Sequence, residues 1–106
     1  MLGLSPALAP VKVAVFPLVK KDGLPEIAQK IHDGLRTDAI PSFYDESGSI
    51  GRRYRRQDEA GTPWCVTVDG QTKEDGTVTI RDRDSLEQVR VSVEKVNDWV
   101  RERLGG

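Results

Sequence analysis

The sequence predicts an α/β sandwich built on a mixed β-sheet. Three observations carry that class. Segments with strand-like apolarity alternate with segments whose apolar residues recur at helical spacing. The first two strand-like segments are each followed by a helix-like one, and such crossovers demand parallel neighbours. The third and fourth strand-like segments are joined by a short polar connection, which makes them an antiparallel pair. With 106 residues, 37% hydrophobic and 31% charged, the chain has room for one domain around one core.

Val11 to Leu18 is β-branched and almost continuously apolar, which suits a strand buried on both faces and central in its sheet. Asp22-Gly23 gives a turn, and Pro25 stands where a first helical residue can lack its N–H. The helix predicted from there to about Asp38 has Leu24, Ile27, Ala28, Ile31 and Leu35 on one stripe. Ile40 to Asp45 reads as a short strand, and Pro41, which cannot donate to a ladder, puts it at an edge. Ser49 is a candidate N-cap for a helix from Ile50 to about Ala60, which Gly61-Thr62-Pro63 stops. Trp64 to Asp69 is a third strand. Asp69-Gly70 and Asp75-Gly76 bracket a polar loop, and Thr77 to Asp82 is a fourth strand with Val78 and Ile80 alternating against Thr79 and Arg81. Gln88 to Val91 is a short fifth strand. Ser92 is the candidate N-cap of a last helix whose buried stripe is Val93, Val96, Val100 and Leu104. Residues 1–9, rich in proline and small side chains, read as a linker or chain start ahead of a domain over 10–106.

Composition excludes several function classes. The longest apolar run, Val13 to Val19, is far short of the roughly 20 residues of a membrane span, and the first ten residues lack the pattern of a signal peptide. A cytoplasmic protein with no membrane contact is expected. Cys65 is the one cysteine and His32 the one histidine, too few for a structural zinc site or an internal disulfide, and any nucleophile-histidine pair would need His32, for which the sequence suggests no partner. Cys65 reads as a small buried strand residue and His32 as a surface or boundary residue. No phosphate-binding glycine loop of the nucleotide-binding types is present. The net charge of −1 argues against a protein that coats nucleic acid by bulk electrostatics, so any such contact must be local.

Charge is concentrated in two places. Arg52, Arg53, Arg55 and Arg56 fall within five residues, just after the glycine- and serine-rich junction Ser47-Gly48-Ser49, where free N–H groups and a helix dipole favour an anion. An anion or nucleic-acid surface is preferred to a merely solvated face, because crowding four like charges is no stability device. The second patch is Arg81-Asp82-Arg83-Asp84. Alternation puts the arginines on one face and the aspartates on the other, unless the strand ends first. An edge strand protected by charge is an equal reading of it.

The run Ser47-Gly48-Ser49-Ile50-Gly51-Arg52-Arg53-Tyr54, with Arg56, Asp58 and Glu59, resembles the C-terminal domain of the dimeric class II glycyl-tRNA synthetases. So do Thr77 to Ser85, Gln88-Val89-Arg90 and the first strand with its approach, Leu8 to Leu18; the likeness spans about residues 4 to 104. The resemblance implies a three-layer arrangement, a mixed five-stranded sheet with three helices, and a role in binding the anticodon of glycine tRNA. It implies that glycylation, with ATP and magnesium, belongs to a catalytic domain absent from these residues, so the domain has no cofactor and no chemistry of its own. Its partners would be glycine tRNA and its own catalytic domain within a homodimer.

Glycine codons begin with two guanines, so the anticodon carries two cytosines, each offering an amino donor and two acceptors that ask for a carboxylate and a guanidinium respectively. The residues assigned to tRNA are Arg52, Arg53, Arg56, Asp58, Glu59, Arg81, Asp82 and Arg83. Among the carboxylates, Asp58, Glu59, Asp82 and Asp84 could each accept from a cytosine, with Asp82 slightly favoured. Tyr54, Trp64 or an arginine could serve as a stacking platform, although a core position is preferred for Trp64. Two rivals are a small phosphoryl or nucleotide enzyme using the Ser47 to Gly51 turn, and an accessory or protein-interaction module derived from such a domain.

Overall fold

A computed structural model describes residues 10–104, and the linker expected over 1–9 lies outside them. The elements in chain order are β1 (Val13–Pro17), α1 (Leu24–Thr37), β2 (Ser42–Tyr44), α2 (Ile50–Ala60), β3 (Trp64–Val68), α3 (Gly70–Asp75), β4 (Thr77–Asp82) and β5 (Gln88–Ser92), then a 3₁₀ turn (Val93–Lys95) and α4 (Val96–Leu104). The five strands form one sheet in the order β2-β1-β3-β4-β5. β1 runs parallel to β2 and β3, while β3, β4 and β5 are successively antiparallel.

β1 is an interior strand buried along its whole length, as its uninterrupted apolarity requires, although the middle of the sheet is β3. The two faces of the sheet hold unequal cores. Val13, Val15, Trp64, Val66, Val68, Val78 and Ile80 face the stripe Leu24, Ala28, Ile31 and Leu35 of α1 and Val96 and Val100 of α4. Ala14, Phe16 and Cys65 point the other way, against Ile50 and Tyr54 of α2. Three layers result.

The polar segment between β3 and β4 is a short helix and not the expected loop. The Asp69 carboxylate accepts from the Thr72 N–H at 3.2 Å, and the Thr72 hydroxyl answers the Asp69 N–H at 3.1 Å. That capping box satisfies donors which six residues could not otherwise pair. The last helix also departs from expectation. Ser92 makes no side-chain cap; the chain leaves β5 through the 3₁₀ turn before α4 begins. β2 is an edge strand as expected but only three residues long, with Pro41 just before it accepting from the Lys12 N–H.

Candidate nucleic-acid interface

α2 starts where the sequence says it should. Gly48 takes a left-handed φ of 71° that turns the chain, and the Ser49 hydroxyl accepts from the Arg52 N–H at 3.3 Å. Gly61, at φ 82°, ends the helix. What the pattern concealed is that its inner stripe is polar: the two buried residues of the helix are Arg53 and Gln57. Gln57 accepts from the Thr62 hydroxyl at 2.7 Å.

Arg53, assigned to tRNA from the sequence, is only 3% exposed and cannot meet a ligand in solvent. One terminal nitrogen donates to the Pro17 carbonyl at 2.6 Å and to the Asp45 carbonyl at 3.5 Å, and the other to the Gly48 carbonyl at 3.4 Å. The group lies 5.7 Å from the centre of the Phe16 ring, and its Nε has no partner. Arg53 therefore ties the end of β1, the end of β2 and the entry to α2 together. The physical reason for the correction is helical: three residues after Ile50 and four before Gln57, position 53 falls on the buried stripe.

Its neighbours divide by direction. Arg56 reaches back to the Asp45 carboxylate at 3.1 Å and the Ser47 carbonyl at 2.7 Å, and Asp45 also accepts the Ser47 hydroxyl and N–H. Arg56 is half-exposed, so it holds the loop and still presents charge. Arg52, Arg55 and Glu59 lie on the outer face, exposed, and their side chains make no ion pair or hydrogen bond among the described residues.

On its other flank α2 meets β4. The Asp58 carboxylate pairs with Arg81 at 3.2 Å, and the Arg81 guanidinium lies 4.9 Å over the Tyr54 ring. Tyr54 also takes an edge contact from Phe16 and shares a hydrogen bond with the Thr67 hydroxyl; burial raises its pKa. That ring is consumed by the fold. Trp64, 3% exposed and edge-on to Trp99, is a core residue as preferred. Of the platforms considered, only a guanidinium remains.

β4 ends at Asp82, so the alternation expected through Asp84 stops there. One oxygen of Asp82 accepts the backbone N–H groups of Asp84 and Ser85, at 2.9 and 3.0 Å. The aspartate favoured for base recognition is thus a turn residue, because a carboxylate two residues ahead of free N–H groups closes that turn. Arg83, its side chain 8% exposed, pairs with Asp84 at 3.0 Å.

Beside Arg81 lies a polar surface only partly seen in the sequence. Thr77, Thr79 and Arg81 of β4 stand on the α2 side of the sheet, opposite Val78 and Ile80, and the register sets Thr79 across from Arg90 and Arg81 across from Gln88. Arg90 makes a two-pronged ion pair with Asp69, at 2.9 and 3.1 Å, and donates to the hydroxyls of Thr77 and Thr79. The Arg90 hydrogen bonds, helped by the Thr72 N–H, hold Asp69 below the usual carboxylate range. The alternation of β4 was the available signal for this face; nothing in the sequence linked Asp69 to Arg90, 21 residues away. Arg55 lies on the exposed face of α2 opposite Arg53, as helical spacing requires.

Catalytic candidates stay dispersed. His32 bonds the Ser42 hydroxyl at 2.7 Å, and burial lowers its pKa. Cys65 is buried, its thiol pushed up to about 12 by desolvation. Among the described residues no His, Cys, Asp or Glu cluster is placed to hold a metal, and no helix is long and apolar enough to cross a membrane.

A family model described as "Anticodon binding domain" matches residues 12–103, nearly every residue of this sheet and its helices. The chain belongs to that family. Glycine–tRNA ligases are among its relatives: that of Rhodopirellula baltica is 58% identical over 98% of this chain, that of Methanocaldococcus jannaschii 54% over 97%, and that of Bifidobacterium longum 57% over 99%. The chain spans about a fifth of the length of each: 19%, 18% and 21%. The fold recurs in a prolyl-tRNA synthetase from Cryptosporidium parvum complexed with L-proline and AMP, at a TM-score of 0.89 and 20% identity, covering 97% of this chain and 23% of that one.

Proposed function

We propose that this domain selects glycine tRNA by its anticodon, on behalf of a glycine–tRNA ligase whose catalytic body lies outside these residues. The observation that carries the reading is the pairing of Arg81 with Asp58 at 3.2 Å, beside the polar ladder of Thr79, Gln88 and Arg90 and next in sequence to the exposed Glu59, which has no side-chain partner among the described residues. A cytosine needs an acceptor for its N4 amino group and donors for O2 and N3. Asp58 or Glu59 supplies the acceptor. Arg81 supplies the donors, and its orientation is fixed by Tyr54 and Asp58 before any ligand arrives. Two cytosines in sequence call for two such sets, and the ladder toward Arg90 extends the first. ATP, magnesium, the homodimer contact and a cytoplasmic setting belong to the ligase as a whole.

The test is binding of glycine tRNA and of transcripts with uracil at either cytosine, by the parental chain and by Asp58→Asn, Glu59→Gln and Asp82→Asn. Asp58→Asn or Glu59→Gln is expected to cost about 1 to 3 kcal/mol of cytosine preference. Asp82→Asn should leave the preference intact. If Asp58→Asn and Glu59→Gln both keep the parental preference, the bases are not read by these carboxylates; if the parental chain has none, the proposal fails outright.

A further inference from the structure

The loop after β1 and the stretch that runs from the end of β2 into the first turns of α2 carry a local excess of positive charge. Residues 18–23 and 45–56 hold six basic and three acidic side chains, whereas the rest of the chain holds ten and fourteen. A region of +3 therefore sits in a chain of −1. Arg53 makes the two segments neighbours. It bonds the Pro17 carbonyl at the end of β1 and the Gly48 carbonyl ahead of α2, at 2.6 and 3.4 Å. Lys20 is three residues beyond Pro17, within about 11 Å of it along the chain. Lys20 and Lys21 are exposed and make no ion pair or side-chain hydrogen bond among the described residues, and Arg52 shares that state in the first turn of α2. Leu18 and Val19 beside them are each 41% exposed.

Arg53 and Arg56 are used by the fold; Lys20, Lys21 and Arg52 are not. Two of the three acids of the region are committed, Asp45 to Arg56 and Ser47 and Glu46 to the Tyr44 hydroxyl at 2.7 Å, while Asp22 is exposed beside Lys21. What is left is a row of unpaired cations running from Lys20 and Lys21 across the loop to Arg52. Such a row fits a ligand with regularly repeated negative charge and mobile counterions to release. It does not fit a base edge, since lysine ammonium groups have none of the planar fork that discriminates bases.

We infer that Lys20 and Lys21, continued by Arg52, form a track for the sugar-phosphate backbone of the RNA, apart from the base-reading face beside Arg81. The inference rests on the proposal that the ligand is tRNA, and it assigns to the β1–α1 loop a contact which that proposal does not contain. It predicts a division of labour: base identity is read at Arg81 and Asp58, and sequence-independent affinity comes partly from the strand-end track.

The experiment measures binding against salt concentration for the parental chain, Lys20→Ala/Lys21→Ala, and Lys30→Ala/Lys95→Ala as a matched loss of two exposed lysines elsewhere. The RNAs are a glycine tRNA transcript and a hairpin with the same anticodon stem but a scrambled loop. Losing Lys20 and Lys21 is expected to reduce the slope of log affinity against log salt by about 1.5 units, and affinity at low salt on the order of tenfold, on both RNAs. Cytosine preference and thermal midpoint should not change. If the double variant behaves like the Lys30/Lys95 control, the track does not exist. If it weakens the tRNA but not the scrambled hairpin, the lysines read sequence and the inference is overturned. Loss of cytosine preference in the parental chain would sink the proposed function instead, while the slopes still judge the track.

Discussion

The arginines of α2 and those of the β4–β5 hairpin are equally conspicuous in sequence, yet the fold treats them in opposite ways. Every hairpin arginine has its own carboxylate: Arg81 has Asp58, Arg83 has Asp84 and Arg90 has Asp69. In the helix only Arg56 has one, Arg53 is held by carbonyl oxygens, and Arg52 and Arg55 have none among the described residues. The difference separates two kinds of recognition. A guanidinium already paired and oriented presents few, well-aimed donors, which suits a base; an unpaired one in water presents charge, which suits phosphate. A cluster of arginines is therefore not one feature but as many as there are directions for the side chains to point.

The sharpest test of that difference lies inside the helix itself. Arg53→Met leaves carbonyl groups of three segments without their donor and should cost roughly 3 kcal/mol in urea unfolding, since each orphaned buried group is worth about 1 to 3 kcal/mol. For a domain of this size the melting temperature should fall by roughly 10 to 20 °C. Arg52→Ala, one residue earlier, should stay within about 0.5 kcal/mol of the parental chain. Equal effects at the two positions would mean that the inner stripe of α2 is not what holds the strand ends.

Binding should reverse that order. Arg52→Ala/Arg55→Ala removes only unpaired charge, so it should flatten the salt dependence of tRNA binding by up to about one unit per phosphate contact and leave cytosine preference alone. Arg81→Lys keeps the charge but loses the planar fork over Tyr54, so it should lose about 1 to 3 kcal/mol of preference with little change in slope. Should both variants move both quantities together, the contrast between the patches has no functional meaning.

Most of the fold was legible because its signals are local. Almost continuous apolarity marked β1, the stripe from Leu24 to Leu35 marked α1, and Ser49 and Gly61 marked the ends of α2. The capping box of α3 was missed because Asp69-Gly70 is also a turn signal, and only the Thr72 hydroxyl bonding back to Asp69 decides between them. The site was less legible because its partners are distant in sequence. Asp58 meets Arg81 across 23 positions and Arg53 meets Pro17 across 36. A residue can be assigned charge from its letter, but whether that charge faces solvent or a carbonyl depends on an element elsewhere. Arg53 and Asp82 show this: each has the right chemistry for RNA, yet Arg53 is buried on backbone carbonyls and one oxygen of Asp82 closes a turn.

The smallest expected effect is a pH dependence in the hairpin. Asp69 is held below the usual carboxylate range chiefly by its hydrogen bonds from Arg90, with the Thr72 N–H adding to them. A carboxylate whose pKa is lower folded than unfolded contributes stability that is present above its unfolded value, near about 4, and is lost as pH falls through the folded value. Asp69→Asn separates the ion pair from the cap, because asparagine is about as good an N-cap as aspartate and still accepts from Thr72. The variant should therefore be slightly less stable than the parental chain at neutral pH, and the gap should close as pH is lowered below about 4. Arg90→Lys should show the same convergence, since an ammonium cannot make the two-pronged contact at 2.9 and 3.1 Å. Urea midpoints from about pH 7 to about pH 2.5 measure it. A gap that stays constant over that range would mean that Arg90 is held by the threonine hydroxyls alone, and the contrast with the outer face of α2 would then rest on Arg81 and Arg83.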